Sequence, residues 1–167
     1  MNYKCGDNVI YGFNGACKII AIETRLIDRQ EVEYYVLEPY NHPESKYYIP
    51  TQNPKALSKI RKILTAQELE ELFDSSNINK DGWIEDEKQR KEHYKALVAN
   101  PNCAELIKMI HAIHHRKQEL QSVGKKLHQC DEKFTEDAEK LVSSELSLVL
   151  DIPAKSVGSY IKKRLDK

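Results

Sequence analysis

The chain has 167 residues, with 26 basic and 26 acidic side chains and a formal net charge of zero. A composition of 40% hydrophobic and 31% charged residues describes a folded, water-soluble protein and excludes a disordered tail or a collagen-like repeat. No apolar run approaches the roughly 18 residues that cross a bilayer. The opening MNYKCGDN lacks the core of a signal peptide, so the expected location is the cytoplasm. An even charge balance also excludes a uniformly basic coat, so any nucleic-acid contact has to come from local clustering.

Up to about residue 63 the chain reads as strands. The residues are dense in Val, Ile and Tyr, and GFNG, IDRQ and YNHPES punctuate them as turns. Strands are predicted at 8–11, 16–25, 31–38 and 46–49, with a short fifth at 58–63. So many short strands with tight corners predict a small, closed five-stranded barrel of SH3-like or Tudor-like build.

From Thr65 the period becomes helical. Thr65-Ala66-Gln67-Glu68 is a capping box, and the helix it opens carries Leu69, Leu72 and Phe73 on one face. The polar stretch 74–82 reads as a hinge. A helix over 83–99 is predicted, capped by Asp81, with Tyr94, Leu97 and Val98 apolar. Asn102-Cys103-Ala104-Glu105 resembles a second capping box, followed by the stripe Leu106, Ile110, Ile113 and Leu120. Gly124 ends that element. A helix over 129–150 follows, with Phe134, Ala138, Leu141, Val142, Glu145, Leu148 and Val149 at helical spacing. Pro153 then opens a last helix through Val157, Ile161 and Leu165. The fold class is therefore α+β in two domains: the barrel over 1–64, a connecting helix and linker over 65–82, and an all-α bundle over 83–167.

Catalysis is not expected. There is no P-loop, GxSxG elbow, HExxH or GxGxxG, and the pair Glu136/Asp137 belongs to the first turns of a helix, where it complements the dipole. No cofactor is implied. Cys5, Cys17, Cys103 and Cys130 are widely spaced, without CxxC, and read as reduced thiols. His111, His114, His115 and His128 fall between Cys103 and Cys130, but His114 lies on a different helix face from His111 and His115. The short paired spacings of a zinc site are absent, so no metal is expected.

Charge placement is more informative. Between Leu106 and Cys130 the basic residues are Lys108, Arg116, Lys117, Lys125 and Lys126, against Glu119 alone. This run reads equally as a set of phosphate contacts or as a solvated face balanced by the acidic residues that follow. Trp83, the one tryptophan, opens the charged stretch WIEDEKQRKEHYK. Beside Lys88, Arg90 and Lys91 it reads as a groove or base contact, or else as a hydrophobic staple on the helix it precedes.

YKCGDNVIYGFNGACKIIAIETR, EYYVLEPYN and KYYIP, with DGWIEDEKQRKEHYK and LVSSELSLVLDIPAKSVGSYIKKRL, resemble the CarD/CdnL family of bacterial transcription regulators. The first half is also similar to the RNA polymerase-interacting domain of transcription-repair coupling factor. The resemblance implies a Tudor-like domain that docks on the lobe of the RNA polymerase beta subunit, partly by edge-to-edge strand addition. It also implies a helical domain on promoter DNA at the upstream edge of the bubble, without sequence choice. There a tryptophan wedges into the minor groove and stabilises the open complex. By that resemblance Arg25 and the segment Tyr47, Tyr48, Ile49 and Pro50 face the polymerase, with Tyr48 where some members have arginine. Trp83 is the wedge, followed by Lys88, Arg90 and Lys91, while Lys133 falls near a basic position of the third helix. Such a protein would be cytoplasmic, reaching the nucleoid through polymerase. A protein–protein adaptor, its barrel binding a different partner and its basic patch facing solvent, is the alternative.

Overall fold

In the computed structural model of the chain, residues 3–75 and 82–165 are described, and the chain divides into two compact units, Met1–Ile63 and Leu64–Lys167. The first unit holds strands β1 (Asn8–Tyr11), β2 (Ala16–Ile27), β3 (Gln30–Pro39), β4 (Tyr47–Pro50) and β5 (Ile60–Lys62), with one-turn helix α1 (Pro54–Leu57) before β5. They form an antiparallel sheet in the order β4-β3-β2-β1-β5. Val9, Cys17, Ile19, Tyr35, Leu37, Ile49 and Ile60 point to one side and, with Tyr3, make a core drawn from all five strands. Tyr3 seals its edge: its hydroxyl donates to Ile60 O at 3.2 Å and its ring meets Tyr35 edge-on. Burial pushes the Cys17 thiol up to about 12, so it serves as an inert packing group.

The expected closed barrel is corrected here to an open sheet. Among the described residues no ladder joins β4 to β5. Those strands are only four and three residues long, and what lies between them in the chain is α1, capped by Asn53 with Pro54 in its first turn.

The β2–β3 hairpin is longer than the sequence predicts. Ile27 pairs with Gln30, leaving Asp28 and Arg29 as a two-residue turn with φ of 48° and 65°, the signature of type I′. The turn falls within IDRQ as expected, with Arg29 standing where glycine is usual, and the strands run closer to it than the sequence predicts. Arg29→Gly is expected to stabilise this unit by about 0.5–1 kcal/mol, because glycine takes φ > 0 without the Cβ clash. A raised urea midpoint in the near-ultraviolet signal of the sheet tyrosines is the check.

The second unit comprises α2 (Ala66–Asp74), α3 (Glu87–Ala99), α4 (Cys103–Ser122), α5 (Gln129–Leu150) and α6 (Ala154–Leu165). The Thr65–Glu68 capping box is present with both reciprocal bonds, and α2 turns Leu69 and Phe73 into the helical core. Asn102 caps α4, Gly124 takes φ of 71° after it, and α5 spans the residues read from its periodicity. Of the expected hinge 74–82, residues 76–81 lie outside the described residues, and with them Asp81. The cap of α3 is Asp86, whose carboxylate accepts from Gln89 N at 2.8 Å, so the helix begins after Trp83 rather than with it.

The core gathers Tyr94, Val98, Leu106, Ile107, Met109, Ile113, Ala138, Leu141, Val142, Leu146 and Val157. Packing of α4 against both α3 and α5 buries Ile107 and Met109 beside the expected stripe, while Ile110 and Leu120 stay at its margin. Glu145, within the apolar series of α5, is buried and accepts the Leu64 N–H at 3.0 Å, tying the entry to α2 onto α5. No helix among the described residues is long and apolar enough to cross a membrane.

Candidate functional site

In the first unit, pairing register brings separate sequence signals onto one face. Arg25 lies opposite Val32, Glu23 opposite Tyr34, Tyr34 opposite Pro50, and Val36 opposite Tyr48. Arg25 and Tyr48 therefore share the face away from the core, on strands separated by β3. The guanidinium stacks 3.8 Å above the Tyr48 ring and donates to Glu23 at 3.0 Å. Hydrogen bonding to Glu23, then to Tyr48, raises the arginine pKa further, so its cation is permanent. Tyr48 thus supplies an aromatic platform for that cation.

The other residues of this segment divide by the strand's alternation. Pro50 is half-buried on the Arg25 face. Tyr47 points inward, its ring tilted against Tyr11 at 5.4 Å, and Ile49 is buried in the core. Ile49, named for the polymerase face, thus has its side chain in the core and not on the Arg25 face. The sequence reading missed the hairpin's apolar end, where Ile22, Leu26 and Ile27 are exposed. Its signal was present: from Ile22 to Ile27 apolar residues occur on both faces of one strand.

β4 is an edge strand. Thr51 N–H donates to Glu33 O at 2.9 Å, which by antiparallel alternation turns Ile49 and Tyr47 toward β3 and leaves the Tyr48 N–H and C=O facing outward. Pro50 has no N–H to offer, so the available edge is short.

In the second unit, Trp83 lies in the non-helical lead-in 82–86, half-buried against the helical core. Arg90 covers its ring at 4.2 Å, and Arg116 of α4 lies 5.6 Å from its centroid. Arg90, expected among the DNA contacts, is turned inward: its side chain is only 7% exposed. Its Nε and Nη2 each donate to Asp131 at 3.0 Å, and its Nη1 donates to Ile84 O at 2.8 Å and Glu85 O at 3.2 Å. Desolvation works against its charge, but the hydrogen bonds and field of Asp131 outweigh it and the pKa is raised. Four of its five N–H groups are thereby engaged within the helical unit.

Lys91 is held by Glu87 one turn earlier, a pairing that draws the Glu87 carboxyl below the usual carboxylate range. Lys88, Lys125, Lys126 and Lys133 are exposed. Arg116 was read only as part of a basic run, and its place beside Trp83 depends on how α4 packs.

His128, Cys130 and Asp131 bring three donor atoms within 4.8 Å of one another at the start of α5. Both Asp131 oxygens serve Arg90, and His128 Nδ1 accepts from Cys130 N at 3.3 Å as the helix cap. The grouping is accounted for by a cap and an ion pair.

The first unit thus presents a stacked cation beside an edge strand, and a helical unit follows it in the chain. Residues 3–64 match the family model described as the CarD-like/TRCF RID domain. The chain thus carries a domain of an RNA polymerase-interacting family, which connects it to transcription. No curated protein matches the chain.

Proposed function

We propose that the protein is a non-enzymatic transcription regulator that binds the lobe of the RNA polymerase beta subunit and contacts promoter DNA at the upstream edge of the bubble, stabilising the open complex. The observation that carries this reading is the exposed Arg25–Tyr48 stack beside the edge of β4, within a domain matched to that family. In the proposed mode the polymerase adds a strand at the outward Tyr48 groups, a form of β-augmentation, while an acidic or carbonyl-rich surface meets Arg25. The helical unit then lays Trp83 against the minor groove, with Lys88, Lys125, Lys126 and Lys133 supplying phosphate contacts.

A neutral chain suits this role. Tethering raises effective concentration, so DNA contacts can be few and independent of sequence. Inserting one apolar wedge costs a few kcal/mol in unstacking, least where the duplex is already open. Trp83→Ala is expected to keep polymerase binding yet shorten the lifetime of the open promoter complex, measured as decay after competitor challenge. An unchanged lifetime would make Trp83 a packing residue alone.

One observation favours the adaptor reading: Lys108 pairs with Glu105 at 2.8 Å, Arg116 with Glu119 at 2.9 Å and Lys117 with Glu132 at 3.6 Å, which neutralises much of the basic run. An adaptor would give no salt-dependent retention of promoter fragments even with polymerase present.

A further inference from the structure

We infer that Arg90 and Asp131 are positioning residues that clamp the Trp83 indole in its presented orientation, an inference that rests on the proposed role of Trp83 as the DNA wedge. The lead-in 82–86 forms no helix or strand, so its backbone carries no regular ladder of its own. One guanidinium ties it down at several points. Arg90 bonds the carbonyls of Ile84 and Glu85 with Nη1, forks onto both Asp131 oxygens with Nε and Nη2, and lays its flat face on the indole. Each contact uses a different part of the same group. The fork sets the plane of the guanidinium, and that plane sets the plane of the ring stacked on it.

A buried ion pair of this kind adds little net stability over apolar residues of similar volume. Its placement has a use nonetheless. A wedge has to arrive rigid, because a rotating indole would lose its freedom on entering a groove and weaken the contact. Asp131 belongs to the first turn of α5, so the ring is referenced to a second helix and not only to the one that follows it. Lysine in place of Arg90 would keep the charge but lose both fork and stacking face.

Trp83 is the one tryptophan, so its fluorescence reads the clamp directly in the full-length chain. Asp131→Asn is expected to raise the acrylamide quenching constant of Trp83 by roughly twofold or more and red-shift its emission, with helical circular dichroism retained. Val157→Ala, which loosens the same core elsewhere, is expected to leave the quenching constant as in the wild type. In polymerase–promoter complexes Asp131→Asn is expected to shorten open-complex lifetime toward that of Trp83→Ala. If Asp131→Asn does not fold, Arg90→Lys takes the same measurements. A folded clamp variant with wild-type quenching overturns the inference. So does one with raised quenching and full open-complex lifetime where Trp83→Ala shortens it. If instead Trp83→Ala leaves the lifetime intact, the wedge reading fails, and quenching still decides whether the clamp holds the ring.

Discussion

Truncation of Asp131 to alanine is expected to destabilise the helical unit by about 3–5 kcal/mol, a large part of what a domain of this size has in reserve. The substitution removes both acceptors of the Arg90 fork and leaves a cation whose side chain is 7% exposed without its counter-charge. The remaining bonds to Ile84 and Glu85 carbonyls cannot neutralise it. Urea unfolding followed by Trp83 emission measures the loss. Replacing both partners, as Arg90→Met with Asp131→Leu, is expected to restore most of it, since the burden is the unpaired charge rather than the missing attraction. A single variant within about 0.5 kcal/mol of wild type would mean that Arg90 swings out to water at little cost.

Arg25→Glu is expected to weaken binding of the full-length chain to the polymerase beta lobe by at least about tenfold, about 1.4 kcal/mol. The new carboxylate would repel Glu23, the present partner of Arg25 at 3.0 Å, and would leave the Tyr48 ring without its cation. Tyr48→Ala is expected to act in the same direction but less, because it removes the platform and keeps the charge. Calorimetry or pull-down with the isolated lobe provides the measurement. Equal binding by wild type and Arg25→Glu would move the docking surface away from this face, and no binding by the wild type would remove the docking reading itself.

Local signals in the sequence were read well where the structure is locally determined. The Thr65–Glu68 box and the span of α5 rest on neighbours three or four residues apart, and both are found as read. The β2–β3 turn falls within IDRQ as expected, but its strands run further, because Asp28 and Arg29 adopt left-handed backbone without glycine between the two arms of a long ladder. Closure of the sheet is a property of the whole fold that strand counting does not decide. Arg90 is the clearest case at the site. Its sequence neighbours are charged, and nothing local distinguishes it from Lys88 or Lys91. Its partner Asp131 is 41 residues away on another helix. Arg25 and Tyr48 were each picked out by resemblance, but that one lies on the other is a consequence of register across β3.

The lead-in that carries Trp83 is anchored at its carbonyls, and its ring is backed by a group bolted to the first turn of α5. A body pressing on the indole therefore meets a stiff prop, with the load passed into two helices instead of taken up by a hinging loop. Stiffness decides where deformation goes: against a rigid support, the softer object yields.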